Sequence, residues 1–286
     1  MRADSIYHYD EIDSTNDEAK RLICARRAQQ SDADKTGGPS ELCGVVITAS
    51  KQTNGRGRLG RSFSSPGGDS IYASFILKPP EDPAEQRVTA FAAVAVCLAI
   101  EKTTSYRPGI KWINDILIEG KKICGILAES VPGAVILGIG ININLGRDDF
   151  PDELKESAGS LIMNKEERAR LLESLQAEVF RCMDAAGRPG AAEAAALMDE
   201  YRARSVVLKK PVLLLKKTET ASLSYRDSRT VPTSYSPGPY PRGADDYTRV
   251  PAFCEGLADD GALIVRFDDG TVEELRSGEV TVQLVS

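Results

Sequence analysis

Residues 55–61, GRGRLGR, alternate arginine with glycine. Glycine lets a backbone approach a ligand closely, and guanidinium groups supply fixed positive charge and paired donors for a carboxylate or a phosphate. The segment therefore predicts an anion site. It lacks the GxxxxGKS/T spacing of a P-loop, and it does not run directly from a strand into a helix as a Rossmann fingerprint does. A solvated basic loop and an RNA-binding segment of the RGG type remain alternative interpretations.

A second group of polar residues occupies 111–115, KWIND, and is followed by KICGILAE at 122–129. Here a cation, an aromatic ring, an amide and a carboxylate stand at a strand junction, and Lys122 begins the next strand. Such groups can neutralise a polyphosphate and help to hold Mg²⁺. A surface ion pair and a simple Asn-Asp turn are the alternatives.

Two shorter segments complete the set. In GIGININ, residues 138–144, two glycines leave room on one strand face, and Asn142 and Asn144 are predicted to point to that face. A sheet bulge with turn asparagines is the alternative. In DSTN, residues 13–16, the alternative is a helix cap.

The rare residue types restrict the chemistry further. The chain has one histidine, His8, and one tryptophan, Trp112, which excludes multi-histidine zinc or iron sites and leaves most hydrolase templates with a single possible base. The net charge of −6 argues against a generic nucleic-acid binder. Six cysteines without a CxxC pair indicate free thiols. The longest apolar run, 90–100, is shorter than the ~18 residues of a membrane span, and the N-terminus does not resemble a signal peptide, so we expect a cytoplasmic protein.

The elements that must position these residues are predicted from periodicity and turn signals. Strands are expected at 6–9, 44–50, 70–77, 110–112, 115–118, 122–130 and 134–143, and helices at 15–28, 83–105 and 166–203, the last interrupted at 187–190. The four strands from 110 to 143 form an antiparallel meander. This pattern predicts an α+β fold with a mixed, largely antiparallel sheet, not a doubly wound one.

The C-terminal part changes character. Short strands at 206–208, 212–215, 253–257, 262–267, 271–275 and 280–285, joined by Asp/Gly turns, predict a small β-barrel-like domain. We therefore predict domains at 1–204 and 205–286. Residues 217–249, rich in Ser, Thr, Tyr, Pro and Gly, are predicted to be a mobile insertion in a hairpin.

Together, in order and spacing, the four polar segments resemble the catalytic domain of the biotin protein ligases, also called biotin–(acetyl-CoA-carboxylase) ligases. That family is marked by an S-T-N segment, a G-R-G-R-x-G-R loop, a K-W-x-N-D segment, a K-x-x-G-I-L-x-E strand and a G-x-G-x-N-x-N strand. The resemblance covers residues 5–145 closely, and residues 255–284 resemble the family's small SH3-like domain, with 278–280 matching G-E-I/V. Two departures are Ile113, where the family usually has proline, and the insertion at 217–249.

The resemblance implies a class II aminoacyl-tRNA-synthetase-like (biotin/lipoate ligase) catalytic domain and a C-terminal SH3-like β-barrel. It implies an ATP- and Mg²⁺-dependent enzyme, without a permanently bound cofactor, that forms biotinyl-5′-AMP and transfers biotin to one lysine of a biotin carboxyl carrier protein. Residues 1–13 are too few for the helix-turn-helix module that some members carry, so we expect a short form that does not bind DNA. A monomer and a homodimer both remain possible. A lipoate or octanoate ligase of the same fold and a non-catalytic biotin sensor are the alternatives.

The resemblance also implies roles for individual residues. Lys122, Arg58 and Asp115 are expected to be catalytic, with Asp115 the carboxylate nearest to Mg²⁺ or the phosphates. The residues expected to bind biotin are Ser14, Thr15, Asn16, Gln52, Arg56, Gly57, Arg58, Lys122, Gly125 and Gly138. Those expected to bind ATP or the adenylate are Gly55, Arg56, Arg58, Arg61, Lys111, Trp112, Asn114 and Asn142. The glycines of the 55–61 loop suggest a lid that closes over the adenylate and excludes water.

Overall fold

The first sheet has seven strands. The computed structural model describes residues 5–29, 40–79, 85–188, 190–217, 247–276 and 280–284. The strands are β1 (Ser5–Tyr9), β2 (Val45–Ala49), β3 (Ile71–Leu77), β4 (Gly109–Lys111), β5 (Asp115–Ile118), β6 (Lys121–Val131) and β7 (Ala134–Ile141), in the order β1-β2-β3-β7-β6-β5-β4. β1 and β2 are parallel, and the other neighbours are antiparallel. The prediction of a mixed, largely antiparallel sheet is confirmed.

The turns of this sheet follow from their residue types. Glu119 and Gly120, which join β5 to β6, both have positive φ, at 51° and 77°. That combination gives a two-residue turn whose twist matches the strands it connects. The β6–β7 turn likewise uses Gly133, at φ 79°. β5, β6 and β7 therefore lie side by side, as the meander predicts.

Four α-helices of the described residues cover the two faces of the sheet unequally. They are α1 (Thr15–Gln29), α2 (Glu85–Thr103), α3 (Lys165–Ala186) and α4 (Ala192–Arg204). Val46 and Phe75 belong to the large core that contains α2, whereas their strand neighbours Ile47 and Ile76 pack with α1. Because alternate strand residues point to opposite faces, α1 and α2 lie on opposite sides.

The helix termini agree with the sequence. Asn164 caps α3 by accepting from the backbone N–H of Glu167, whose carboxylate accepts from the N–H of Asn164 in return. The predicted interruption at 187–190 separates α3 from α4. α1 packs chiefly against β2, β3 and β7 and reaches β6 through hydrogen bonds to Glu129, so most of the β5–β6 part of that face lies beyond this helix.

The second sheet is entirely antiparallel. Its strands are β8 (Pro211–Lys217), β9 (Tyr247–Leu257), β10 (Leu263–Arg266), β11 (Val272–Leu275) and β12 (Val280–Leu284), in the order β11-β10-β9-β8-β12. Its apolar side continues the large core of the first sheet. The domain boundary at 204/205 remains a prediction.

Two details of the C-terminal prediction are wrong. Residues 206–208 are not a strand: the backbone N–H of Val206 bonds to Ile110 O, and Lys209 has φ 56°, so these residues form an irregular link between the sheets. The ends of the predicted insertion, Lys217 and 247–249, extend β8 and β9, which pair up to Lys217 and Tyr247. The predicted hairpin is thus present. The predicted mobility of the remaining insertion lies outside the described residues.

The cysteines are all free thiols, as predicted; Cys97, Cys124, Cys182 and Cys254 are buried, and Cys24 is exposed. His8 lies on β1, where its ring nitrogens contact the hydroxyls of Thr48 (3.0 Å) and Ser50 (3.3 Å). In the described part of the chain, no helix combines the length and apolarity that crossing a bilayer requires.

Candidate functional site

A cavity of about 1100 Å³ occupies the part of the sheet face that α1 leaves open. Its lining contains all the site residues that the sequence predicts: Ser14, Thr15, Asn16, Gln52, Gly55, Arg56, Gly57, Arg58, Arg61, Lys111, Trp112, Asn114, Asp115, Lys122, Gly125, Gly138 and Asn142. Segments up to 128 residues apart in sequence therefore meet at one site.

One end of the cavity is a network of uncharged donors and acceptors at the start of α1. Both the backbone N–H and the hydroxyl of Thr15 donate to Gln52 Oε1, at 2.8 and 3.1 Å, and Gln52 Nε2 donates to Ser65 Oγ at 2.9 Å. Ser74 Oγ on β3 lies 2.8 Å from Thr15 Oγ1 and 2.5 Å from Asn16 Oδ1. The side chains are thus held in fixed orientations within a buried polar wall.

Asn16 connects this network to charged groups. Its Nδ2 donates to Glu129 Oε2 at 2.8 Å, and Glu129 Oε1 pairs with Lys20 Nζ at 2.8 Å. Gly138 of β7 makes room for the amide, because a Cβ at that position would lie 2.3 Å from Asn16 Oδ1. The sequence predicts that Gly138 leaves room on its strand face, and in the structure the Asn16 side chain occupies that room.

The other end of the cavity is cationic and surrounds the partly buried carboxylate of Asp115, whose side chain is 23% exposed. Lys122 Nζ lies 2.6 Å from Asp115 Oδ1. Asp115 pairs with Lys111 across the β4–β5 hairpin, and Lys122 of β6 pairs with Leu117, two residues after Asp115 on β5, so both lysines lie near the carboxylate. Arg58 Nη1 donates to Asn114 Oδ1 at 3.0 Å, while its Nη2 is buried without a hydrogen-bond partner. A buried guanidinium N–H without a hydrogen-bond partner can donate to an anionic ligand.

The pKa shifts reflect this concentration of charge. Burial alone would raise the pKa of Asp115, but Lys122 and Lys111 together hold it below its usual range. Burial lowers the pKa of Lys111, and Asp115 only partly offsets that effect. Burial likewise lowers the pKa of Arg58. The cations are therefore desolvated, which strengthens their attraction for phosphate or carboxylate oxygens.

The 55–61 loop is a small hairpin. The N–H of Gly57 bonds to Arg61 O at 2.6 Å, and the N–H of Phe63 bonds to Gly55 O at 2.8 Å. Gly55 has no space for a side chain, since a Cβ would lie 2.5 Å from Phe63 O. At the outer edge of the loop, Arg56 pairs with Asp17 of α1 at 2.9 Å. The loop thus joins the polar end of the cavity to the cationic end.

Sequence reasoning missed Phe63, which forms part of the cavity wall. Its ring packs over β6 and β7, where a Cβ on Gly125 or Gly140 would lie 2.8 or 2.5 Å from the ring. Lys122 Nζ lies 5.9 Å from the ring centre. Gly125 therefore lines the cavity and also provides the space that the Phe63 ring needs. The aromatic residue directly after the GRGRLGR loop was the available signal.

The two asparagines of the GIGININ segment do not share a face, because β7 ends at Ile141 and strand alternation stops there. Asn142 lines the cavity, and its Nδ2 donates to Gly159 O at 3.0 Å. Asn144, at φ 54°, donates instead to Asp69 Oδ2 and Met163 O, both at 2.8 Å. The prediction that both point to the site is wrong for Asn144.

Magnesium does not fit this site as an ion held by protein ligands alone. Within the described residues, no three His, Cys, Asp or Glu side chains come together in a group able to hold a metal. Asp115, the predicted ligand, is already neutralised by a lysine. A divalent cation would need most of its ligands from a bound phosphate and from water, as Mg²⁺ often does.

Comparison with known proteins identifies relatives. The profile of the biotin/lipoate A/B protein ligase family matches residues 39–145. The bifunctional ligase/repressor BirA of Bacillus spizizenii is 48% identical over 125 residues, which are 41% of this chain but only 38% of that protein. A biotin–(acetyl-CoA-carboxylase) ligase of Mycobacterium tuberculosis is 30% identical over 198 residues, covering 65% of this chain and 66% of that protein.

A solved structure extends the likeness to the whole fold. The biotin protein ligase from Aquifex aeolicus in complex with biotin and ATP superposes with a TM-score of 0.69 at 22% identity, over 99% of this chain and 100% of that one. At this level of identity the match concerns the fold. It confirms the predicted catalytic fold with a small C-terminal antiparallel sheet.

Proposed function

Because the chain belongs to the biotin/lipoate A/B protein ligase family, we propose that it activates biotin with ATP and transfers it to a lysine of a biotin carboxyl carrier protein. The observation that carries this proposal is the division of one cavity into a neutral hydrogen-bonding end and a cationic end. Biotin has a ureido ring at one end and a carboxylate at the other, so it matches both.

The neutral end receives the ureido ring. Ser14, Thr15 and Asn16 are buried, and Gln52 is held by Thr15 and Ser65, so their donors and acceptors are oriented before a ligand arrives. A ligand with both N–H and C=O groups can form hydrogen bonds with such a wall, whereas the dithiolane of lipoate has no N–H or C=O group and would gain none of these bonds, each of which contributes ~0.5–1.5 kcal/mol. This difference favours biotin over lipoate or octanoate.

The cationic end promotes adenylation. In this step a biotin carboxylate oxygen attacks the α-phosphorus of ATP, a P–O bond breaks, and pyrophosphate leaves with the electron pair. Lys122 and Arg58 are placed to offset the negative charge that accumulates on the phosphate oxygens, and Lys111 adds a further desolvated cation. Asp115 holds Lys122 in position. Magnesium accompanies ATP in this proposal, and we assign it no step of its own.

Transfer of biotin to the carrier lysine requires that water be kept away from the adenylate. The uncharged ε-amine of the carrier lysine attacks the acyl carbon, AMP leaves with the electron pair, and the amine loses a proton to solvent. The 55–61 hairpin must exclude water until that amine arrives, because the mixed anhydride is hydrolysable. The Arg56–Asp17 pair links the hairpin to α1 on the far side of the cavity. The proposed lid is thus anchored at both ends of the site.

We also propose a partner and a cellular location. A carrier-protein partner and a cytoplasmic location follow from the ligase function. The repressor activity in the name of the Bacillus relative is not carried over, since the net charge of −6 argues against a nucleic-acid binder. We therefore keep the prediction that the chain does not bind DNA.

The test supplies a purified carrier domain with ATP, Mg²⁺ and either biotin or lipoate, and follows the intact mass of the carrier. Addition of one biotinyl group, with none from lipoate, is expected. Lipoyl addition would favour the alternative ligase, and binding of biotin without any mass change would indicate a sensor.

A further inference from the structure

Trp112 stands at the start of the three-residue turn between β4 and β5, beside the cationic end of the cavity. The side chain is only 4% exposed. Its indole N–H donates to Gly261 O, at 2.9 Å, in the turn between β9 and β10 of the second sheet. Because an indole has one N–H, this bond leaves Trp112 no donor for a ligand.

The partner turn is itself firmly held. Gly261 has φ 90°, which lets the chain reverse there, and the N–H of Ala258 bonds to Ala262 O at 2.9 Å. Arg202 of α4 donates to Leu257 O at 3.3 Å and to Asp259 Oδ1 at 2.6 Å. The carbonyl that accepts from Trp112 therefore belongs to a rigid hairpin anchored on α4.

The β4–β5 turn carries the groups that face the phosphates. The carbonyl of Ile113 lies 3.4 Å from Tyr201 OH. Asn114 donates to Ile126 O at 3.0 Å and accepts from Arg58. Lys111 and Asp115 flank the turn as paired strand residues. Trp112 thus lies two residues before Asn114, the acceptor that orients Arg58, in the same short turn.

We propose that Trp112 is a positioning residue through which the 258–262 turn of the second sheet sets the geometry of the nucleotide end. This inference rests on the proposed function. It assigns the turn a part in ATP binding although none of residues 258–262 lines the cavity. Because the donor network around Thr15 and Asn16 has no bond to this turn among the described contacts, biotin binding is independent of it.

The test uses Trp112→Phe, which keeps an aromatic ring and removes the N–H, and Arg202→Ala, which loosens the turn from α4. Calorimetry measures the Kd of Mg-ATP and, separately, that of biotin. Trp112→Phe is expected to weaken ATP binding about tenfold, within the range by which residues that do not touch the ligand alter its affinity, with biotin binding changed less than about twofold. Arg266→Ala, on the same sheet in an exposed pair with Glu255, is the matched control and leaves both constants unchanged.

The double variant, Arg202→Ala with Trp112→Phe, distinguishes a positioning role of the turn from a general destabilisation of the protein. If Arg202 and Trp112 act through one turn, their effects on ATP affinity are not additive, and the double variant binds like Trp112→Phe alone. Additive effects, equal weakening of ATP and biotin, or an unchanged Kd for ATP would overturn the inference. A wild-type protein that binds ATP but never labels a carrier overturns the proposed function and leaves this inference standing.

Discussion

Replacing Gly138 with alanine tests the polar end of the cavity by steric means. The new Cβ would lie 2.3 Å from Asn16 Oδ1 and about 3 Å from the other amide atoms, a separation at which one side must move. Since Gly138 belongs to the central strand β7, we expect Asn16 to be displaced. Overpacking of this kind costs ~1–3 kcal/mol, and losing the bonds of Asn16 to Ser74 and Glu129 costs ~1 kcal/mol each.

The expected result is a fall of ~3–5 kcal/mol in the free energy of unfolding, the sum of these terms, and a 10- to 100-fold weaker Kd for biotin, corresponding to ~1.4–2.8 kcal/mol. Denaturant unfolding and titration calorimetry measure the two quantities. Gly256→Ala is the control, because a Cβ on this β9 glycine meets nothing within 4 Å. Wild-type biotin affinity in Gly138→Ala would refute the assignment of Asn16 to the biotin wall.

Three further predictions concern the cationic end and its lid. Arg58→Ala should release biotinyl-AMP and label lysines of unrelated proteins, which mass spectrometry of an added non-carrier protein would detect; retained intermediate and unchanged labelling would contradict the lid. Lys122→Ala should reduce ATP–pyrophosphate exchange by a factor of about 10²–10³, as for other charge-stabilising donors, and near-normal exchange would remove Lys122 from the catalytic set. Because burial lowers the pKa of Lys111, its charge is lost at a lower pH than that of an ordinary lysine. The rate of ATP–pyrophosphate exchange should therefore fall as the pH rises into the alkaline range. In Lys111→Arg, whose side chain stays charged, this fall should move to higher pH. Identical pH profiles for the two proteins would show that Lys111 does not act through its charge.

Most of the first sheet could be predicted because its signals are local. Glu119-Gly120 and Pro132-Gly133 mark the turns of the meander, and the apolar run 90–100 marks a helix that is buried on most of its surface. The irregular link at 206–208 could not be predicted, since its β-branched residues favour a strand. Its conformation depends on the bond from Val206 to Ile110, a contact nearly 100 residues distant in sequence.

The site residues could be named from motif spacing, but their partners could not. That Gly138 and Gly125 accommodate Asn16 and Phe63 depends on the register of β6, β7 and β3, which only the folded sheet determines. The same holds for Trp112, whose acceptor lies 149 residues later. The prediction that Asn144 points to the site is wrong because it assumes that strand alternation continues beyond Ile141, where β7 ends.

The most direct test of the account is the intact mass of a carrier domain after incubation with the protein, ATP, Mg²⁺ and biotin. We predict one added biotinyl group on one lysine, none when lipoate replaces biotin, and none with Lys122→Ala. A carrier that gains no biotin from the wild-type protein, or gains a lipoyl group instead, would contradict the proposed function.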